Sequence, residues 1–227
     1  MNIKKILLGF TNSYLLEGDR GYIMVDAGVV KQGRNFLRGL KHHQVDPGQI
    51  KLIIITHAHF DHVGSLAAIK ALCGDCPVLI HPFESPRISK PVVAIPPGIN
   101  LEGKIISSLG RVGRPLLKFP PVKPEILFDK EFDLAAYGID GQILHTPGHT
   151  AGSLSILLAD GQAIVGDLAV NFGSTRPFPP FAEDPEQIYT SWQQICAAGA
   201  AVIYPAHGSP FPAEVLLENL AGRNKGE

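Results

Sequence analysis

Leu52-Ile53-Ile54-Ile55-Thr56-His57-Ala58-His59-Phe60-Asp61-His62 joins a run of aliphatic residues to three imidazoles and a carboxylate. The aliphatic run predicts a buried strand, and the polar residues behind it then stand in a loop at the sheet edge, on a rigid support. On that support His57 and His59 can share one face while Asp61 and His62 turn toward a neighbouring point, a layout for two metal ions a few ångströms apart. Taken alone, a histidine is more often an ordinary hydrogen-bonded side chain, and Asp61 could cap a helix starting near Val63. Clustered imidazoles would be wasteful as packing, whereas imidazole and carboxylate together suit zinc or a similar divalent ion.

Three further segments repeat the arrangement. Gln142-Ile143-Leu144 leads to His145-Thr146-Pro147-Gly148-His149, Ala163-Ile164-Val165 to Gly166-Asp167, and Ala201-Val202-Ile203-Tyr204 to Pro205-Ala206-His207-Gly208. Each apolar run ends in a candidate ligand, with Gly or Pro setting the turn that presents it. His149, Asp167 and His207 are candidates of the same kind, although Asp167 by itself reads equally as a turn or capping residue.

The chain also repeats itself. Ser13 to Asp26 reads as a hairpin ending in Asp, and Ser153 to Asp167 as another, with Asp160-Gly161 as a strong two-residue turn signal. Each hairpin leads through a helix to an apolar strand feeding a histidine, His57 or His207. Two such halves can bury their sheets against each other with helices outside. The expected fold class is therefore α/β, a four-layer α/β/β/α sandwich from two similar halves, with the candidate ligands on the shared edge.

The pattern His57-x-His59-x-Asp61-His62, followed by His149, Asp167 and His207, resembles the metallo-β-lactamase superfamily of metallohydrolases, with all seven ligand positions filled. Asn12-Ser13-Tyr14 and Val25-Asp26-Ala27-Gly28 are similar to its opening hairpin. The resemblance implies the same sandwich and two divalent metal ions, zinc first, with iron or manganese as alternatives. It implies that His57, His59 and His149 hold one ion and Asp61, His62 and His207 the other, with Asp167 bridging. It further implies a metal-bridging hydroxide, available near neutral pH because bound water has its pKa lowered to about 7. Asp61 would orient that hydroxide and exchange its proton, and Asp26 would fix a ligand imidazole.

Departures from named subfamilies narrow the activity. The superfamily's true β-lactamases would call for Cys where this chain has Asp167, and the flavodiiron proteins for Glu where it has His59. Typical glyoxalase II enzymes bind glutathione through a C-terminal helical region, and twenty residues follow His207 here. The expected activity is hydrolysis of an ester, thioester or lactone. The alternatives are a mononuclear iron persulfide dioxygenase-like oxidoreductase, a phosphodiesterase or nuclease of the same fold, and a binding protein with a dead site.

Composition agrees with a single soluble enzyme domain over residues 1–227, 45% of them apolar, which the resemblance implies is metallo-β-lactamase-like throughout. No run reaches the roughly 18 apolar residues of a membrane span. The apolar stretch after Met1 is short, so no signal peptide is expected and a cytoplasmic location is. A net charge of -1 gives no reason to expect nucleic acid as a partner. Cys73-Gly74-Asp75-Cys76 has the spacing of a redox pair or half a zinc site, but its place between a helix and a strand favours a helix-ending turn.

Residues 83–128 form a Pro-rich insertion outside the repeat, with eight prolines and seven Lys or Arg against three Glu. It reads as neither sheet nor ordinary linker. Ile99 to Val112 can form a helix with Ile105, Ile106, Leu109 and Val112 on one face, ended by glycines and Pro115. The insertion reads either as a lid with a basic rim or as a loop packed on the core or in a homodimer contact. In Thr175-Arg176-Pro177-Phe178-Pro179-Pro180-Phe181, the aromatic residues can wall an apolar pocket and Arg176 can hold an anion. Phe60 is a further wall candidate. Asp184-Pro185-Glu186 predicts a helix over 185–198, capped by Asp184. These features point to a small-molecule substrate with an apolar portion.

Overall fold

The computed structural model describes residues 2–90, 93, 95–99, 101–113, 117–128, 130, 132–173 and 176–224. The first half runs β1 (Ile3–Leu8), β2 (Thr11–Gly18), β3 (Gly21–Val25), α1 (Gly33–His42), β4 (Ile50–Ile54), α2 (Phe60–Val63), α3 (Leu66–Leu72) and β5 (Val78–Ile80). The insertion holds α4 (Ser85–Ser89), α5 (Leu101–Gly113) and β6 (Ile126–Leu127). The second half runs β7 (Gly141–His145), β8 (Leu154–Leu158), β9 (Gln162–Gly166), α6 (Pro185–Ala197), β10 (Val202–Pro205), β11 (Phe211–Pro212) and α7 (Glu214–Asn224).

Among the described residues these strands make two sheets, in the orders β1-β2-β3-β4-β5-β6 and β11-β10-β9-β8-β7. Strand side chains alternate between faces, and here each face belongs to a different core. Leu16, Ile23, Leu52 and Ile54 point into the middle layer, where they meet Leu154, Ile156 and Ile164 of the second sheet. Leu15, Met24 and Ile53 point the opposite way, onto Phe36 and Leu40 of α1 and Leu66 and Ile69 of α3. On the far side Leu157, Ala163 and Val165 pack against Trp192 of α6 and Leu216 and Leu220 of α7. The result is the four-layer α/β/β/α sandwich. Because both faces are covered, the strand before His57 reads as an unbroken apolar run rather than an alternating one.

The duplication is visible in the strand pairing. β2 and β3 form an antiparallel hairpin, α1 follows, and β4 lies parallel to β3. β8 and β9 form the second hairpin, α6 follows, and β10 lies parallel to β9. Asp184 caps α6 by accepting from the Glu186 and Gln187 backbone amides, and the helix ends at Ala197.

Two expectations change. The insertion is not entirely outside the sheets, because Ile126 and Leu127 add β6 parallel to β5. Phe119 and Val122 also anchor it in the first core. The helix behind the histidine motif begins at Phe60, with His59 at its N-cap position, so Asp61 lies inside the first turn and does not cap it. The predicted helix around Ile105 and Leu109 is present as α5; the Ile106 side chain and Pro115 lie outside the described residues. Cys73 caps α3 and Gly74 and Asp75 turn through positive φ, so C-x-x-C forms the helix-ending turn, with both thiols buried. Among the described residues no helix is long and apolar enough to cross a membrane.

Candidate metal centre

Four strand ends and the loops behind them bring the seven candidate side chains together in two adjoining buried groups: His57, His59, His149 and Asp167, and Asp61, His62 and His207. The sheets are tied where the groups meet. The Leu154 amide donates to the Thr56 carbonyl at 2.9 Å, and the Asn12 amide to the Ala206 carbonyl at 2.8 Å. Asn12 Nδ2 donates to the carbonyls of Pro205 and Gly208 on either side of His207. Gly208 has φ +97°, and a Cβ there would lie 1.7 Å from the Asn171 carbonyl oxygen, so the loop presenting His207 requires glycine.

Three of the rings are held through Nδ1 so that Nε2 faces inward. His62 Nδ1 lies 2.8 Å from Asp26 Oδ2, His149 Nδ1 2.9 Å from the Phe181 carbonyl and His207 Nδ1 3.2 Å from that of Phe10. Asp26 also accepts from the Thr56 amide and hydroxyl, which locks the carboxylate behind His62. His59 is turned the other way. Its Nδ1 lies 3.0 Å from His57 Nε2 and 2.9 Å from His149 Nε2, so three ring nitrogens converge on one point.

Asp167 stands between the groups. Its Oδ2 is 3.4 Å from His149 Nε2, while its Oδ1 is 3.3 Å from His62 Nε2 and 3.4 Å from His207 Nε2. Asp61 Oδ2 is 3.2 Å from His207 Nε2 and 3.9 Å from His62 Nε2.

The two groups differ in electrostatics. Burial, together with neighbouring imidazoles, holds His57 and His59 well below the ordinary histidine range. Burial lowers His149 too, against the pull of Asp167. Burial also opposes charge on His62, but Asp26, Asp167 and Asp61 outweigh it and lift His62 well above that range. His207 follows the same balance, carried up to about 10 by Asp167 and Asp61. Against burial, the surrounding imidazoles hold the carboxyls of Asp61 and Asp167 below the usual carboxylate range. Burial thus favours the neutral imidazole in the first group, and the neighbouring carboxylates favour the charged one at His62 and His207.

Buried polar atoms normally find partners. Here His62 Nε2 and Asp167 Oδ1 make no hydrogen bond although buried, and neither does His59 Nε2, the nitrogen of that ring opposite the one that meets His57 and His149. Leaving such atoms unsatisfied costs about 1–3 kcal/mol each. A divalent cation in either group would draw on the converging lone pairs, and the imidazole and carboxylate donors fit zinc, iron or manganese.

A buried network that the sequence reading missed supports the first group. Glu84, fully buried, accepts from the Ala58 amide at 3.0 Å and the Gly152 amide at 3.2 Å, joining the loop of His57 and His59 to that of His149. Arg87 pairs with Glu84 at 3.2 Å and with Glu183 at 2.8 Å, and Glu183 accepts from Ala151. The available signal was position, since Glu84 closely follows the apolar strand β5. Position alone misleads as well: His81 and His145 also end strands, yet they stack on each other with ring centroids 4.2 Å apart and join neither group.

A cavity of about 1050 Å³ opens over His59, Asp61, His149, Asp167 and His207. Phe60, Arg176, Phe178 and Phe181 line it as expected. Thr175 lies outside the described residues. The insertion supplies the opposite wall through Ile95, Leu101, Leu109 and Leu117, and is tied to the Phe181 segment by the Ile99 amide donating to the Pro180 carbonyl. Among the described residues no Lys or Arg of the insertion lines the cavity, and Arg87 is engaged with Glu84 and Glu183.

Residues 6–207 match the family described as the Metallo-beta-lactamase superfamily. A probable metallo-hydrolase of Bacillus subtilis is 27% identical over 221 residues, covering 88% of this chain and 80% of the relative. The crystal structure of BLEG-1 B3 metallo-beta-lactamase superposes with a TM-score of 0.70 at 23% identity, covering 96% of this chain and 97% of that one. A second structure, of a protein in a di-iron-bound form, gives 0.67 at 24% identity, covering 92% of this chain and 94% of the other. At these identities the structures speak for the fold.

Proposed function

Because the chain belongs to the metallo-β-lactamase superfamily, we propose that it is a metal-dependent hydrolase of a small ester, thioester or lactone. His57, His59 and His149 would hold one divalent cation and Asp61, His62 and His207 a second, with Asp167 shared; zinc is the expected metal. The observation carrying this reading is the division of the Asp167 carboxylate, one oxygen toward each group. When bound, such cations polarise an acyl oxygen and lower the pKa of bound water to about 7.

The chain's own groups do the rest. Asp26 fixes the His62 ring, and Glu84 fixes the backbone that carries His57 and His59. Asp61, which lines the cavity floor, would take a proton from the attacking water and return it to the leaving atom. In the balanced reaction the water oxygen bonds to the acyl carbon, the acyl bond to oxygen or sulfur breaks, and the leaving atom gains a proton. The apolar cavity walls exclude bulk water and suit a small molecule rather than nucleic acid, which would need a broad basic track.

The test is metal analysis of protein expressed with zinc, manganese or iron, followed by a panel of aryl and acyl esters, thioesters, lactones and bis-p-nitrophenyl phosphate. About two metal ions per chain and faster acyl than phosphodiester turnover are expected. A single stable iron, with oxygen consumed when a thiol persulfide is added, would overturn the hydrolase reading.

A further inference from the structure

The cavity is roomy, lined mostly by apolar residues and joined to the candidate metal centre, and its walls specify more than the reaction class. Outside the centre, the described lining residues include one charged side chain, Arg176, and one hydroxyl, that of Ser107. The Ser107 hydroxyl is committed to the Pro96 carbonyl at 2.7 Å. A sugar, nucleotide or peptide buried here would leave its own polar groups unpaired, and that penalty selects against it. A hydrocarbon chain meets no such penalty.

The wall has a direction. Leu101 and Leu109 lie eight positions apart on α5, which places them about 12 Å apart along the helix at the usual rise per residue. Leu101 is 75% exposed, Leu109 68%, and Phe172, which lines the cavity beside His207, 71%. Large apolar side chains left in water around one opening mark a surface that a ligand covers. Phe10 and Phe172 stack near the His207 ring, at centroid distances of 5.7 and 6.4 Å, so the apolar surface continues to the centre itself.

We propose that the cavity binds the unbranched acyl chain of its substrate, with the scissile carbonyl over the metal centre and the chain running outward between Leu109 of α5 and Phe172. This deepens the hydrolase reading and rests on it for the chemistry, but not for the binding of the chain. The leaving group makes no required contact in the cavity and extends to solvent.

The test uses the metal-loaded protein and p-nitrophenyl esters from acetyl through butanoyl and octanoyl to dodecanoyl. Burying each added methylene is expected to raise kcat/KM by about two- to fourfold, so octanoyl exceeds butanoyl by at least about tenfold. Calorimetric titration with dodecanol, which carries the chain without an acyl group, should show saturable binding, weakened about tenfold or more in a Leu109→Ser, Phe172→Ser double variant. The same variant should flatten the chain-length slope. Ester hydrolysis with no chain-length dependence, or dodecanol binding that the double variant leaves unchanged, would overturn the chain site while leaving the hydrolase intact. No ester turned over at any length, with dodecanol still bound through Leu109 and Phe172, would remove the hydrolase and keep the chain site.

Discussion

The floor and the outer wall of the cavity are built in contrasting ways. On the floor, His62, His149 and His207 are each held through Nδ1, and the backbone beside His57 and His59 is held by a fully buried Glu84. On the wall, α5 offers Leu101 and Leu109 to the opening, both more exposed than buried and outside the three packed cores. Directional bonds fix atoms to the tolerance that metal coordination requires, whereas apolar contact fixes shape and leaves room to adjust. In this site the candidate ligands are held by directional bonds, and the cavity wall is a surface that substitution can remodel at low cost.

The sharpest way to break that comparison is at the residue shared by both groups. Asp167→Ala should lose at least one metal equivalent and reduce ester turnover more than the roughly 10–100-fold expected from losing a supporting partner. The protein should stay folded, since the other side chains hang from separate strands. Full metal retention by atomic absorption would take Asp167 out of the centre.

Next in size is the floor's support. Glu84→Ala leaves the buried Ala58 and Gly152 amides without their acceptor, at about 1–3 kcal/mol each. The thermal midpoint should fall by roughly 5–15 °C. Because both amides lie beside the first group, metal should be lost from His57, His59 and His149 before the second group. Cobalt substitution, read as absorption bands at each group, separates this from general destabilisation, which would release both ions together.

A smaller effect is expected at Cys73 and Cys76. Neither thiol belongs to a candidate metal group among the described residues, so a double serine variant should keep its metal. Its stability should nevertheless fall by about 1–3 kcal/mol, more than at a surface site, because both side chains are buried and new hydroxyls would compete for partners there. Alanine at both positions should retain metal as well, and loss of an equivalent in either variant would make C-x-x-C a third metal site.

The smallest effect belongs to the wall. Leu109→Ser removes a mostly exposed side chain, so stability should stay within about 0.5 kcal/mol in denaturant titration. Metal content should not change. A large loss of stability would mean that α5 is part of the core rather than the edge of a binding surface.

The strand-end histidines were legible because an apolar run followed by several candidate ligands is a local pattern, as are the two hairpins and the Asp184 cap. Glu84 was not legible: a single acidic residue after a strand carries no local sign that it will reach the Ala58 and Gly152 amides. His81 and His145 show the opposite limit, with the right position in sequence but a partner in each other. The insertion also resisted reading, since prolines announce irregular backbone without saying what it packs against, and only its contacts with the Phe181 segment and the first core make it a cavity wall.

The sequence by itself determined the layers, the duplication and the first histidine cluster, because apolar strand runs, hairpin turns and strand-end presentation depend on near neighbours in the chain. The family resemblance then joined His149, Asp167 and His207, each a weak strand-end candidate taken singly, to that cluster as one ligand set. Tertiary structure alone decided how those side chains are shared. It set one Asp167 oxygen toward each group, lowered the pKa of His57, His59 and His149 by burial while neighbouring carboxylates raised those of His62 and His207, and turned an unplaced insertion into an apolar wall. The physical reason is that electrostatic balance and cavity shape are sums over groups distant in sequence, fixed only when two sheets close on one another and exclude water from the space between.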